Sequence, residues 1–374
     1  MSEDRIYLDH AATSFPKPPT VLDAVHRWFH EIGVSADRGD STRCSEVRTR
    51  VASVRERLGR MCGVPGHRVV FTSGSTESLN LFLDGFLNER DRYLTTTLEH
   101  SSLVRPLRHL GEQRKLEGVE LPIDADGRVD AAQFIAAMDQ HPPRLVAFSH
   151  ASNVLGGALD ARAICDAARE RGCTTLLDAS PTAGLLDLDI GADVVVSSAH
   201  KSLLAPPGLG FLAVREGVPL RLTRFGGTGS SRALDTQPEE WPTAMESGTP
   251  NTPAILGLCA ALDFIEEKGR DVILASELEL LDLLRADLMG RATLYGPSDG
   301  PRIPVLSFNV PGYDAAEIGM ILDAAGIHVR TGFHCAPHLF ETLPGTSGGT
   351  VRVSLGPFNS ADDVRALTRA LPGG

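Results

Sequence analysis

The sequence predicts an α/β protein, a mostly parallel sheet with helices on both faces. Three observations carry that expectation. Short aliphatic and β-branched runs recur through the first two-thirds of the chain, at Val69–Thr72, 93–96, Leu145–Ser149, 175–177, Val194–Ser198 and 211–214. Between them lie stretches of helical spacing at 76–86, Ser101–Arg114 and 162–170, and strands alternating with helices of that length close into parallel sheets. Several runs end in small polar or charged residues and then break on Gly or Pro, the place where open α/β sheets present ligands.

The remaining elements follow in order. A strand over 5–8 leads into Asp9-His10-Ala11-Ala12-Thr13, and Pro16, Pro18 and Pro19 precede a helix at 20–32. Ser35 to Ser45 reads as a polar loop, and Val47, Val51, Val54 and Leu58 mark a helix over 46–62. From 214 to about 251 the chain is rich in Gly, Thr, Ser and Pro, and so long a loop in a compact domain is usually functional. Helices at 253–268, 271–289 and 314–325, strands at 303–310, 327–330 and 351–355, and a loop at 331–350 come next. A last helix starts after Ser360, with Asp363 in its first turn, where acid suits the dipole. This switch from α/β to α+β patterning sets a domain change near 253–268.

With 374 residues and 42% hydrophobic composition the chain has ample core. A formal charge of −12 argues against a nucleic-acid-binding footprint. No apolar run is long enough for a membrane span, and the first residues lack a basic and apolar leader. The six cysteines contain no C-x-x-C pair, so neither a disulfide framework nor a zinc site is expected, nor any other metal. The expected compartment is the reducing cytoplasm.

The candidate chemistry sits at strand ends. Val194–Ser198 runs into Ala199-His200-Lys201, and a lysine desolvated there becomes an amine nucleophile for Schiff-base chemistry. Thr72-Ser73-Gly74-Ser75-Thr76-Glu77 joins a strand to a helix; it suits a phosphate held by backbone N–H groups and equally an ordinary N-cap at Ser73 or Ser75. Asp178 closes the strand before Lys201. It could keep a pyridinium nitrogen protonated, cap a helix or bind a metal. Cup, acid and amine at successive strand ends together point to pyridoxal phosphate. His100 could stack on a flat ring or relay a proton as a catalytic residue, or simply start a helix, and Asn153 offers a polar contact. Cys335 lies in a Gly-rich, basic stretch that reads as a mobile electropositive loop suited to a reactive thiol. Arg352, alone in an apolar strand, could grip a carboxylate or form a salt bridge.

These motifs resemble the cysteine desulfurase-like branch of the class V aminotransferase superfamily. The matching stretches are Tyr-Leu-Asp-His-Ala-Ala-Thr at 7–13, Phe-Thr-Ser-Gly-Ser-Thr-Glu-Ser at 71–78, Glu-His at 99–100 and His-x-Ser-Asn-Val-x-Gly at 150–156. Ser-x-His-Lys at 198–201, Gly-Thr-Pro-Asn at 248–251, Arg-Thr-Gly-x-His-Cys-Ala at 330–336 and Val-Arg-Val-Ser at 351–354 complete the set. The resemblance implies the pyridoxal-phosphate fold type I. A large domain over 15–252 would carry a mostly parallel seven-stranded sheet. A smaller α+β domain over 1–14 and 253–374 would carry the Cys335 loop and Arg352. It further implies pyridoxal 5'-phosphate bound covalently by Lys201, with Asp178 on the pyridine nitrogen and His100 stacked on the ring. Ser75, Thr76, Ser198 and His200 would hold the phosphate, with Thr249 reaching it from the neighbouring subunit of a homodimer. Asn153, Arg352 and Arg330 would bind the substrate, L-cysteine or a related amino acid. Cys335 would take its sulfur as a persulfide, leaving alanine, and could pass it to an acceptor protein. The loop around 216–250 would be the arm that crosses between subunits.

Two positions depart from the family pattern. Pro181 stands where the family has a Gln that donates to the cofactor's 3′ oxygen; an unreplaced hydrogen bond of that kind costs roughly 1.5–3 kcal/mol, and Ser180 or Thr182 could stand in. Arg38-Gly39-Asp40-Ser41 replaces the family's Arg-Gly-x-His. Pro181 is the feature that favours another reaction on the same cofactor: a selenocysteine or C–S lyase, an epimerase or an aminotransferase. A scaffold that kept the fold without catalysis is the alternative outside enzymes.

Overall fold

The computed structural model describes residues 5–36, 39, 41–124, 127–229 and 235–372. Seven strands form the main sheet. In spatial order they are Val69–Thr72, Gly210–Val214, Val194–Ser198, Thr174–Asp178, Leu145–Ser149, Arg92–Thr96 and Glu117–Leu121. The last five are mutually parallel, and Gly210–Val214 runs antiparallel to both of its neighbours. Six of the seven strands therefore share one carboxyl edge, and the start of the seventh, Gly210, lies at that edge between Thr72 and Ser198. The α/β expectation and the mostly parallel sheet both hold.

The central strands are buried on both faces, which is why they read as unbroken apolar runs. Val146, Phe148, Leu177 and Val195 join a core with helices Thr42–Cys62, Ala131–Gln140, Ala161–Glu170 and Thr252–Lys268. Leu145, Ala147, Leu176 and Val194 face the other way, onto helices Ser75–Phe86 and Ser101–Arg114. A second sheet, in the order Arg330–Gly332, Thr350–Ser354, Val305–Asn309 and Thr293–Tyr295, packs with helices Arg270–Leu288, Ala315–Ala324 and Ala361–Ala370 around a third core. Leu8 belongs to that core, and Ile6–Tyr7 pairs in parallel with Ile327–His328.

Several expected boundaries shift for local reasons. The helix expected at 46–62 begins at Thr42, because the Ser41 side chain accepts from the Cys44 N–H and caps it. Of the Arg38-Gly39-Asp40-Ser41 stretch, Arg38 and Asp40 lie outside the described residues, as do 230–234 of the 216–250 arm. The strand expected at 327–330 is split, Ile327–His328 pairing with Ile6–Tyr7 and Arg330–Gly332 with Thr350–Arg352. The expected 331–350 loop holds a helix, Pro337–Thr342. Glu117–Leu121 escaped detection because it is an edge strand exposed at four of five residues. No described helix is long and apolar enough to cross a membrane.

The outer edge of Val69–Thr72 is covered by two side chains. Arg55 Nη1 donates to Val69 O at 2.7 Å and its guanidinium pairs with Glu246, which accepts from Phe71 N at 2.5 Å. Glu246 thereby fastens the end of the long 214–251 segment to the sheet. Replacing Glu246 with Ala leaves a guanidinium and a backbone N–H without their acceptor. It should lower unfolding free energy in urea by about 2–3 kcal/mol; a loss near zero would mean that solvent satisfies this edge.

Candidate active site

Lys201 is presented by a tight turn. Val194–Ser198 ends at the carboxyl edge, and the chain is closed by Ala199 N to Leu209 O (2.9 Å) and Leu204 N to Lys201 O (2.8 Å). Leu204 takes φ +60°, a left-handed conformation that a turn this sharp imposes. Lys201 itself is only partly accessible. Burial lowers its pKa below the ordinary lysine value; Asp178 and Cys335 oppose the shift, while Arg352 and Arg330 add to it. One amine, one carboxylate, two guanidiniums and one thiol thus act on each other.

Asp178 ends Thr174–Asp178 and is 3% exposed. Its Oδ1 accepts from Ser180 N at 2.9 Å and Ser180 Oγ at 2.5 Å, which leaves Oδ2 without a protein partner among the described residues. His100 caps helix Ser101–Arg114, its Nδ1 accepting from Ser102 N at 3.0 Å. A backbone N–H can only donate, so the neutral ring carries its proton on Nε2. Burial and then the Lys201 charge push the His100 pKa down to about 4.

The Thr72–Thr76 turn lies against the end of the lysine strand. A Cβ on Gly210 would stand 2.5 Å from Gly74 Cα, so only glycine allows this approach. Ser198 Oγ accepts from Ser75 N at 2.9 Å and donates to Ser75 Oγ at 2.9 Å. Helix Ser75–Phe86 is entered through Gly74 without a side-chain cap, so neither Ser73 nor Ser75 caps it. Thr76 stands exposed on its first turn. His200 Nδ1 is buried without a partner among the described residues.

Arg352 is 1% exposed. Its Nη2 donates to Asp9 Oδ1 at 2.5 Å and its Nη1 to Asn153 O at 3.1 Å, while Nε is buried and has no partner among the described residues. Arg330 stands directly opposite Arg352 across an antiparallel pair and donates to Cys335 Sγ at 3.1 Å. The Cys335 segment is tethered rather than loose. Ser101 N and Oγ donate to Cys335 O at 2.7 and 3.0 Å, and Asn153 Nδ2 donates to His334 O at 2.9 Å. These bonds hold His334 and Cys335 at φ +46° and +59°, which costs each residue of the order of 1–2 kcal/mol. Thr249 is exposed and lines a separate wide cleft with Arg48, Ser73 and Glu77, so within one chain it does not join the Lys201 cluster.

The structure gives partners to residues that the sequence left without a task or named only as stand-ins. Asp9 is the counter-ion of Arg352. Ser180 serves Asp178, and the Thr182 hydroxyl is taken by His150 Nδ1 at 3.1 Å, so each of the two hydroxyls beside Pro181 already has a protein partner. Glu99 is 1% exposed; it accepts from Thr96 Oγ1 at 2.6 Å and from Ser149 N and Oγ at 2.9 and 2.7 Å. An acid directly before His100 was the available signal.

The class-V aminotransferase model matches residues 6–367. The chain is 32% identical to a cysteine desulfurase of Enterobacter sp. (strain 638), over 98% of this chain and 92% of the relative, and 32% identical to one of Salmonella agona (strain SL483), with the same coverage. Among solved structures, an apo cysteine desulfurase from Thermococcus onnurineus NA1 superposes with a TM-score of 0.92 at 29% identity, covering 98% of this chain and 93% of that one. A cysteine desulfurase from Escherichia coli, recorded as an S-sulfonic acid, superposes with a TM-score of 0.86 at 25% identity, with the same two coverages. The fold is the fold type I of these neighbours.

Burial raises the Glu99 pKa to about 7, the Thr96 and Ser149 hydrogen bonds hold it back, and Asp178 adds to the rise. A folded-state pKa above the ordinary 4.5 means that this group's stabilising contribution is full below about 4.5 and is lost as pH climbs through about 7. Glu99→Gln has no such ionisation. Urea unfolding at pH 5 and pH 8 should show the wild type losing stability relative to Glu99→Gln at the higher pH; parallel profiles would place the carboxyl's charge in water.

Proposed function

We propose that this chain, which belongs to the class-V aminotransferase family and within it to the cysteine desulfurases, releases sulfur from L-cysteine with pyridoxal 5'-phosphate, passing the sulfur to Cys335 as a persulfide and leaving L-alanine. The observation that carries the reading is the Lys201 amine, desolvated and opposed by Asp178 within reach of Arg330, Arg352 and Cys335. The residues fit the cofactor. His200 Nδ1 is an orphaned donor or acceptor beside Ser198, the uncapped first turn at Ser75 and Thr76 offers N–H groups to an anion, and Asp178 keeps one oxygen free. When bound there, the cofactor supplies an electron sink for the substrate's Cα–H bond.

The chain's own residues do the rest. Lys201 would hold the cofactor covalently and, once displaced by the substrate amine, move the proton at Cα. His100, neutral and with its Nε2–H fixed by Ser102, would lie on the ring. Ser75, Thr76, Ser198 and His200 would hold the phosphate, with Thr249 supplied by the other protomer of a homodimer, which its exposure in the wide cleft supports. Arg352 would meet the substrate carboxylate through its unpartnered Nε, and Arg330 from the opposite strand; two guanidiniums face to face are repulsive unless an anion joins them. Asn153 positions that carboxylate region. Cys335 Sγ attacks the substrate sulfur: an S–S bond forms, the Cβ–S bond breaks and the carbon takes up a proton. Cysteine plus thiol thus becomes alanine plus persulfide.

We read the protein as cytoplasmic, with an acceptor protein taking the persulfide sulfur. The large unit would span 15–252 and the smaller 1–14 with 253–374, helix Thr252–Lys268 packing into the large core. Cys335→Ala should cut thiol-supported alanine formation from L-cysteine at least about a hundredfold, some 2.7 kcal/mol of barrier, while keeping the cofactor's visible absorbance. Lys201→Ala should lose the covalently bound, borohydride-reducible form. Unchanged turnover in Cys335→Ala, or a keto acid or racemised amino acid as the product, would sink the assignment.

A further inference from the structure

Lys17 has a place in this site that the chemistry above does not use. Its Nζ donates to the backbone carbonyl of His200 at 2.7 Å and to Ser14 Oγ at 2.6 Å. The same His200 carbonyl also takes Ser14 N at 2.9 Å, Ser14 Oγ at 3.1 Å and Thr13 Oγ1 at 3.1 Å. Four donors on one carbonyl exceed its two lone pairs, and the ammonium is the strongest of them. That carbonyl belongs to the peptide bond leading into Lys201. The peptide on the other side of Lys201 is held by Leu204 N on Lys201 O at 2.8 Å. Both planes flanking the Lys201 Cα are therefore fixed, one by the lysine's own turn and one by residues 13–17.

Lys17 has no acid partner among the described residues, and burial brings its pKa down to about 8. A side chain desolvated without a counter-ion is retained at a cost. Here the whole of its hydrogen bonding goes to the peptide of Lys201 and to the serine that shares it. The segment that carries it also carries Asp9, the counter-ion of Arg352. Eight residues thus separate the group that orients the buried guanidinium from the group that orients the amine.

We propose that Lys17 is a positioning residue for Lys201: its ammonium locks the His200–Lys201 peptide and so sets the direction of the reactive amine. The proposal rests on the reading of Lys201 as the cofactor-binding lysine. Around the Lys201 nitrogen stand Asp178, Arg330, Arg352 and Cys335, and Lys17 acts on it through the peptide rather than as one of these neighbours.

The test uses the cofactor-loaded protein and the variants Lys17→Met, Lys17→Arg and Thr13→Val. Two quantities are read: the pH midpoint at which the covalently held Lys201 nitrogen loses its proton, from visible absorbance, and kcat and KM for alanine formation. Loss of one charge-assisted hydrogen bond should lower kcat roughly tenfold in Lys17→Met with KM within about twofold, and shift the midpoint, because a released peptide lets the amine move relative to Asp178 and the two guanidiniums. Lys17→Arg should recover most of both. Thr13→Val, which removes a neutral donor to the same carbonyl, should lower kcat less and leave the midpoint in place. A Lys17→Met protein with wild-type midpoint and kcat overturns the proposal, and so does one that only melts earlier. If the wild type forms no covalent link at Lys201, the reading beneath the proposal fails instead, and the absorbance shows it before any variant is made.

Discussion

A guanidinium that is 1% exposed requires an anion, and Arg352 has Asp9 at 2.5 Å. Much of the site follows from that pair. Asp9 arrives on the segment after Ile6–Tyr7, whose pairing with Ile327–His328 brings the start of the chain beside its C-terminal third. Arg352 Nη1 reaches back to Asn153 O, on the loop leaving Leu145–Ser149. The ion pair therefore joins the N-terminal segment, the second sheet and the carboxyl edge of the first. Breaking one partner of such a buried pair typically costs 3–5 kcal/mol. Here the loss would fall on three elements that each carry a side chain of the site.

The positive charge has a second consequence. Arg330 lies opposite Arg352, and the two together depress both Lys201 and His100. His334, packed beside them, is pushed down to about 3 by burial and then by the same arginines. The histidines of the site are consequently neutral, and the field around the amine is set by the two guanidiniums, Asp178 and Cys335. A desolvated amine beside two guanidiniums suits the carboxylate of an amino acid.

The fold was legible where burial is two-sided. Leu145–Ser149 and Val194–Ser198 are buried along their length, with aliphatic or aromatic residues up to their closing serines, because helices cover both faces. Glu117–Leu121 was not, since an edge strand meets water and carries no such run. The strand direction of Gly210–Val214 was illegible as well, because side-chain alternation is the same for either sense. In the site, Lys201, Asp178 and His100 could be placed from strand ends. Asp9 and Lys17 could not be given tasks, because their partners, Arg352 and the His200 carbonyl, lie 343 and 183 residues away. Pairing of the chain's two ends brings the first pair together, and packing of residues 13–17 on the Lys201 turn the second.

Pro181 shows how a departure can be absorbed. With φ fixed by its ring, proline needs no side-chain contact to hold the turn after Asp178. That turn lets Ser180 spend its N–H and hydroxyl on Asp178 Oδ1. It also turns the Pro181 carbonyl outward to accept Ser202 Oγ at 3.3 Å. Ser202 follows Lys201 directly, so the acid's turn and the amine's turn are tied to each other. A glutamine at 181 could donate into the site but would leave this link to a freer backbone. The proline exchanges a donor for a stiffer relation between the Asp178 carboxylate and the Lys201 amine.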